Sequence, residues 1–157
     1  MRILLDMDGV LTDFDGHIAH LNGRKANGKC DWDKITTSGS DFWVTMPWLE
    51  EGHKLYNWIM NFAKDHKIEV GILSAIFLEY GKQGKRVWLE NNCPEINPDN
   101  IIICNKGYEK WKYATSEDIL IDDDLDNIVL FRQNVGNCIH FKTADETIEK
   151  IKHLFSV

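Results

Sequence analysis

Residues 1–13, MRILLDMDGVLTD, join a short apolar run to a dense group of aspartates. Ile3-Leu4-Leu5 is followed at once by Asp6 and, across one methionine, by Asp8. An apolar run that stops abruptly at turn-forming residues is typical of a strand buried on both faces, as in a parallel sheet. We therefore predict that the chain begins with a buried strand whose carboxyl end carries acidic side chains.

The rest of the chain alternates strand-like and helix-like segments. Four further apolar runs resemble the first, and they are 68–73, 101–104, 119–121 and 138–141. Apolar residues at helical spacing lie between them, in segments 49–64, 85–92 and 124–133. A last helix is predicted after Thr143, where Glu146 completes a capping box. This alternation predicts an α/β fold with a mainly parallel sheet flanked by helices, and a site at the carboxyl ends of the strands.

Residues 15–47 interrupt the alternation. The segment contains several glycines and few aliphatic residues, and it is too long for an ordinary connection between a strand and a helix. We predict a small cap or lid inserted after the first strand. The α/β core would then comprise residues 1–14 and 48–157.

The net charge is concentrated in two short stretches. The 157 residues carry a formal net charge of -7, and eight aspartates lie in those stretches: Asp6, Asp8, Asp13, Asp15, Asp122, Asp123, Asp124 and Asp126. The remainder is close to neutral, which argues against a basic nucleic-acid-binding surface. Nucleic acid is therefore not an expected partner.

Membrane and secretory signals are not expected. No apolar run reaches the roughly 18 residues that a membrane span requires, and the first apolar run is too short for a signal peptide. The four cysteines form no CxxC pair. These features predict a cytoplasmic protein.

The aspartates at the strand ends favour a metal site. Asp6 and Asp8 follow one predicted strand, and Asp122 and Asp123 follow another. A lone aspartate there would be an ordinary turn or cap residue, but two such groups form an oxygen-rich site suited to Mg²⁺. An EF-hand calcium loop is not supported, because Asn127 stands where that loop needs its glycine.

Several motifs resemble those of haloacid dehalogenase-like (HAD) phosphatases. The stretch DMDGVLTD, residues 6–13, resembles their first motif, DxDGVLxD. Ser74 resembles the second-motif hydroxyl, Lys85 the third-motif lysine, and Asp122-Asp123 the paired acids of the fourth. The resemblance spans the chain and implies a Rossmann-like core with a cap inserted after the first strand.

A narrower resemblance is to the 5'(3')-deoxyribonucleotidases. Residues 85–90, KRVWLE, match their K-x-x-W-[VL]-E context, and residues 118–123, DILIDD, are close to their D-L-L-I-D-D. Ala75 stands where those enzymes tend to have a second hydroxyl, and it is included among the expected substrate-binding residues. The resemblance implies hydrolysis of a deoxynucleoside monophosphate.

The resemblance also assigns roles to the acidic residues. Asp6 would attack phosphorus and form an aspartyl-phosphate, and Asp8 would act as general acid and base. Mg²⁺ would be held by Asp6, by the main-chain carbonyl of Asp8 and by Asp123, with Asp122 as the neighbouring acid. Either Asp122 or Asp123 would be the closer ligand.

Ser74 and Lys85 are the residues expected to bind the phosphate. Ser74 would hydrogen-bond a phosphoryl oxygen, and Lys85 would neutralise charge shared with the nucleophile. Lys82 and Lys106 are alternatives for the site lysine. The segment 106–112, which interleaves basic and aromatic residues, is expected to be a solvated loop.

Aromatic residues in or beside the cap have two interpretations. Phe14, Phe42, Trp43 and Trp48 could stack on a nucleobase, or they could form the core of a cap that has few aliphatic residues. The sequence alone does not separate the two.

Three hypotheses follow. The first is a Mg²⁺-dependent nucleotidase whose partner is a small phosphomonoester, in a monomer or homodimer. The second is a phosphatase for another small phosphate or for a polynucleotide 3'-phosphate end. The third is a metal-binding regulatory protein of the same fold, which the presence of both Asp6 and Asp8 argues against.

Overall fold

A parallel five-stranded sheet forms the centre of the protein. The computed structural model describes residues 1–156. The strands are β1 (Arg2–Leu5), β2 (Glu69–Ala75), β3 (Ile101–Cys104), β4 (Ile119–Asp122) and β5 (Cys138–His140). Their order is β3-β2-β1-β4-β5, and every neighbouring pair is parallel. The predicted α/β fold with a mainly parallel sheet is thus confirmed.

Seven α-helices and two 3-10 helices connect the strands within the described residues. The α-helices are α1 (Phe14–His20), α2 (Trp32–Thr37), α3 (Asp41–Val44), α4 (Glu50–His66), α5 (Glu79–Asn92), α6 (Leu125–Asn134) and α7 (Ala144–Phe155). The 3-10 helices are Pro98–Asn100 and Gly107–Tyr113. At α7 the Thr143 hydroxyl caps the helix by accepting the N–H of Glu146 at 3.3 Å, as the sequence predicts. None of these helices is long and apolar enough to cross a membrane.

The strand register gathers the polar strand ends. Leu5 of β1 pairs with Ile72 of β2 on one side and with Ile121 of β4 on the other. The next residues along the chain are therefore brought together at one edge of the sheet. β1 is the central strand, and its apolar residues are fully buried, as expected for a strand covered on both faces.

Helix α5 begins six residues before the predicted segment 85–92. The sequence did not predict residues 79–84 as helical because Gly81 and Gly84 lower the helix propensity. In the structure Gly84 allows close contact with α3, since a Cβ there would lie 2.5 Å from the Ser40 carbonyl oxygen. Gly84 thus allows the two helices to pack closely, and helix propensity contains no information about such packing.

Residues 15–47 form α2, α3 and most of α1, joined by turns. Helix α3 packs against α5, with Phe42 and Trp43 fully buried in the main apolar core. The segment is therefore packed onto the α/β core at this point. Its action as a lid remains a prediction.

Candidate active site

A cavity of about 420 Å³ opens where β1, β2 and β4 end. Its polar lining residues are Asp6, Asp8, Thr12, Asp13, Asp15, Ser74, Lys110, Asp123, Asp124 and Asn127. We call it the acidic cavity. Its position at the carboxyl edge of a parallel sheet, and its size, are those of a small-molecule site.

The loop after β1 is a tight turn that fixes the first aspartates. The Met7 carbonyl accepts hydrogen bonds from the N–H groups of Leu11 at 2.8 Å and Thr12 at 2.9 Å. Gly9 has a φ of 77°, and a Cβ at this position would collide with the Asp123 carboxylate. Glycine is therefore required for the turn and for the close approach of the β4 loop.

Asp6 lies at the base of the cavity and contacts a buried lysine. Its carboxylate accepts the Met7 N–H at 2.7 Å and pairs with Lys110 Nζ at 2.9 Å. The same ammonium lies 2.6 Å from Asp122 Oδ2, and only 2% of the Lys110 surface is exposed. Desolvation lowers the pKa of Lys110, but the charges of Asp6 and Asp122 outweigh it and raise the pKa above its usual range. Lys110 is thus a fixed cation between two buried carboxylates.

A second buried lysine holds Asp8 and Ser74. Lys85 Nζ lies 2.7 Å from Asp8 Oδ2 and 2.9 Å from Ser74 Oγ, and it also donates to the Ala75 carbonyl at 3.2 Å. The lysine is fully buried, whereas the Asp8 side chain is partly exposed to the cavity. Thr12 Oγ1 donates to the other Asp8 oxygen at 3.2 Å. Asp8 is therefore oriented from two sides.

Asp6, Asp122 and Asp123 form a group that we call the acidic triad. Each offers a carboxylate oxygen, and these atoms lie within 4.8 Å of one another. Desolvation and the charge of Asp6 raise the pKa of Asp122 to about 6. Desolvation and the charges of Asp6 and Asp122 raise the pKa of Asp123 to about 7. Since Asp123 is exposed at the cavity mouth, we take repulsion between the carboxylates as the main cause of its shift.

The triad fits a hard divalent cation. Its donors are all carboxylate oxygens, which are the ligands that Mg²⁺ prefers. Desolvation and neighbouring carboxylate charge raise the pKa values of Asp122 and Asp123, and a cation between the three carboxylates would stabilise the ionised forms of these two residues. Asp122 is further oriented by the Asp124 N–H, which donates to its Oδ1 at 2.8 Å.

The structure brings most of the predicted polar residues together. Asp6, Asp8, Ser74 and Asp123 line the acidic cavity, while Asp122 and Lys85 lie directly behind its wall. Ala75 lines it as well. The two lysine alternatives lie elsewhere: Lys82 pairs with Glu79 on α5, and exposed Lys106 lies over the ring of Tyr108.

Most of the aromatic residues do not reach the cavity. Phe42 and Trp43 are 1% and 0% exposed, so a stacking role for their rings is wrong and their role is in the core. Trp48 packs on Trp88 with ring centroids 4.8 Å apart and donates its indole N–H to Asn92, which also makes it a packing residue. Of the four, Phe14 lines the cavity.

The sequence interpretation missed Lys110. The segment 106–112 was expected to be a solvated loop, but it forms a 3-10 helix that places Lys110 in the protein interior. A 3-10 helix repeats every three residues, so Gly107, Lys110 and Tyr113 share one face. Neither Gly107 nor the exposed Tyr113 marks that face as buried. The remaining signal is the position of the segment, immediately before the strand that carries Asp122 and Asp123.

Comparison with known proteins identifies the fold. No family model and no curated protein matches the sequence. An uncharacterized protein from Corynebacterium glutamicum ATCC 13032 Kitasato has a TM-score of 0.59 and 15% identity, over 99% of this chain and 95% of that one. The HAD-hydrolase YfnB from Bacillus subtilis, described as bound to magnesium, has a TM-score of 0.57 and 10% identity, over 99% and 98%. A HAD family enzyme from Bacteroides thetaiotaomicron has a TM-score of 0.50 and 15% identity, over 98% and 97%.

At these identities the similarity defines the architecture rather than the chemistry. The chain has the fold of HAD-family hydrolases, with the sheet order and helical layers described above. The chemistry must be argued from the residues in the acidic cavity.

Proposed function

We propose that the protein is a Mg²⁺-dependent phosphomonoester hydrolase that forms an aspartyl-phosphate on Asp6. The observation that carries this proposal is the arrangement of Asp6 and Asp8 at one cavity, each held by its own buried lysine. In this proposal Asp6 attacks phosphorus and Asp8 moves protons. The HAD fold, which hosts hydrolases among its solved structures, supports the same reaction class.

In the first half-reaction an Asp6 carboxylate oxygen forms a bond to phosphorus, and the bond to the leaving oxygen breaks. Asp8 gives its proton to that leaving oxygen, so that a neutral alcohol departs. In the second half-reaction Asp8 takes a proton from water, and the water oxygen displaces Asp6 from phosphorus. Inorganic phosphate is released and both carboxyl groups return to their starting state.

The buried cations have separate tasks in this proposal. Lys110 compensates the negative charge of Asp6 and that of Asp122 behind it. In this proposal the Ser74 hydroxyl, which lines the cavity, binds a phosphoryl oxygen, while Lys85 holds Asp8 and Ser74 from behind the wall. Both lysines therefore compensate negative charge before and after phosphate binds.

The acidic triad would hold Mg²⁺, together with the Asp8 main-chain carbonyl that the family resemblance implies. When bound, the cation supplies positive charge that lets an anionic nucleophile approach an anionic phosphate. The magnesium in the YfnB structure supports this choice of metal.

We propose a deoxynucleoside monophosphate as substrate. The motifs KRVWLE and DILIDD, which resemble those of the 5'(3')-deoxyribonucleotidases, support this class. A polynucleotide 3'-end is less compatible with the site, because three further carboxylates, of Asp13, Asp15 and Asp124, stand at the cavity and would repel a polyanion.

Phosphate release from purified protein tests the proposal. The panel comprises deoxynucleoside and ribonucleoside monophosphates, a sugar phosphate and a 3'-phosphorylated oligonucleotide, each with Mg²⁺ or with EDTA. We expect EDTA-sensitive release that is fastest from deoxynucleoside monophosphates. Release that is absent from every substrate, or that is insensitive to EDTA, contradicts the mechanism.

A pair of variants assigns the nucleophile. Asp6→Asn should reduce turnover to background, because an amide cannot form the aspartyl-phosphate. Asp65→Asn is the matched control, since Asp65 is exposed on α4 away from the cavity. Retained activity in Asp6→Asn would show that another group attacks phosphorus.

A further inference from the structure

A second cavity adjoins the acidic cavity. It has a volume of about 640 Å³ and lies between the 3-10 helix Gly107–Tyr113 and α6. Asp124 and Asn127 line both cavities, so the two cavities share a wall that these residues form. We call the second one the side cavity. A molecule whose phosphate lies in the acidic cavity would reach the side cavity by passing Asp124 and Asn127.

The side cavity offers a surface for a flat apolar group. Tyr108 and Val129 line it, and they are among the most exposed large hydrophobic residues, at 52% and 44%. Lys106 Nζ lies 5.5 Å from the centroid of the Tyr108 ring. An exposed aromatic ring next to an aliphatic side chain is suited to stacking on a planar ligand.

The carboxylates that line the side cavity favour a ligand group that donates hydrogen bonds, and they disfavour a negatively charged one. Asp126 contributes a carboxylate and Gln133 an amide, while one oxygen of Asp124 caps α6 by accepting the N–H groups of Asp126 and Asn127. Carboxylates accept hydrogen bonds only, so a partner group must donate them. A neutral planar ring that carries N–H donors meets both requirements, and a nucleobase is such a group.

We propose that the side cavity binds the base of the substrate nucleotide, stacked on Tyr108. This proposal rests on the proposed function and specifies where its substrate is recognised. It moves base recognition from the cap aromatics, which are buried, to the 3-10 helix that also carries Lys110. The leaving group then lies on the side of β4 and α6.

The test compares substrates that differ only in the base. We would measure kcat/KM for a deoxynucleoside 5'-monophosphate and for deoxyribose 5-phosphate, in the wild type, Tyr108→Ala, Tyr108→Phe and Tyr113→Ala. Tyr113 is the matched control, because it is an exposed tyrosine of the same 3-10 helix that lines neither cavity. We expect Tyr108→Ala to lower the ratio of nucleotide to sugar phosphate kcat/KM by about 5- to 100-fold, the range of one lost stack. Tyr108→Phe and Tyr113→Ala should preserve the ratio.

A binding measurement separates failure of this proposal from failure of the proposed function. Calorimetric titration of a non-hydrolysable 5'-phosphonate analogue of the nucleotide, with Mg²⁺, needs no turnover. Tyr108-dependent binding in a protein without phosphatase activity would refute the function but keep the subsite. A ratio that Tyr108→Ala leaves unchanged, in an active enzyme, would overturn the subsite and leave the phosphatase proposal standing.

Discussion

Replacing Lys110 by methionine is the sharpest test of the site's electrostatics. Methionine keeps most of the length and apolar volume of the lysine stem, so packing is largely preserved while the charge is removed. Asp6 and Asp122, which are 7% and 0% exposed, would then face each other without a cation. We expect turnover to be lost and the free energy of unfolding to fall.

The magnitude follows from the two contacts of Lys110, at 2.9 Å and 2.6 Å from carboxylate oxygens. Removing one partner of a buried ion pair costs about 3–5 kcal/mol. Part of this is recovered because one carboxyl can take up a proton. We therefore expect a loss of about 3 kcal/mol at pH 7.5, near the lower end of that range.

The loss should shrink at lower pH. Without Lys110 the folded-state pKa of Asp122, which is already raised to about 6, rises further above its unfolded value, so the folded variant binds more protons than the folded wild type. The stability of the variant relative to wild type therefore increases as pH falls. The increase is at most about 1.4 kcal/mol per pH unit for each additional proton that the folded variant binds. Most of the deficit should be gone at pH 5.5.

Urea unfolding of the wild type, Lys110→Met and Lys112→Met at both pH values measures these differences. Lys112 is the control, because it is an exposed lysine of the same helix whose pair with Glu109 is a surface contact. It should change stability by less than about 0.5 kcal/mol. A loss of unfolding free energy under about 1 kcal/mol for Lys110→Met at pH 7.5 would refute the reasoning, because leaving a buried charge unpaired costs more than that. A deficit that does not depend on pH would refute it equally.

Four further predictions concern stability. Gly52→Ala should destabilise by about 1–3 kcal/mol despite the better helix propensity of alanine, because its Cβ would collide with the Val10 carbonyl beneath α4. Asp118→Asn should cost about 2–4 kcal/mol, because the buried carboxylate accepts hydrogen bonds from the main chain and guanidinium of Arg2. In EDTA, the melting temperature should rise as pH falls from 8 to 5.5, because raised carboxyl pKa values in the acidic triad favour proton uptake by the folded state. Mg²⁺ should raise the melting temperature more at pH 8 than at pH 5.5, since protons compete for the same oxygens.

Each of these has a clear contrary result. A stabilised Gly52→Ala would mean that the α4 contact has more space than the structure indicates. Asp118→Asn is measured by urea unfolding, and a change under about 0.5 kcal/mol would show that Arg2 finds an equivalent partner. For the triad, Asp123→Asn should flatten the pH profile in EDTA, and an unchanged profile would place the titrating groups elsewhere.

The sequence predicted the sheet well because two local signals, an apolar run and the turn-forming residues after it, indicate its strands. Each contains a run of apolar residues, as a strand in a parallel sheet requires, and most are followed by residues that favour turns. Helix α7 is marked by its capping box, and its start after Thr143 is found in the structure. These signals are local, so they can be read from a single chain.

The parts that the sequence predicted poorly depend on long-range contacts. Lys110 is buried because carboxylates from two strands compensate its charge, and neither its neighbours nor its spacing carries that information. Phe42 and Trp43 suited both a ligand pocket and a core, and only packing against α5 separates the two. Whether a charged residue is buried, and where an aromatic side chain packs, depends on partners that are distant in the sequence.

Lys110 also has a consequence for the protein in the absence of a divalent ion. An internal cation already compensates Asp6 and Asp122, so the charge balance of these two carboxylates does not depend on a divalent ion. Under the proposed Mg²⁺-dependent mechanism, removal of the ion would therefore abolish activity while the native fold persists. Activity would then return on addition of Mg²⁺ without refolding.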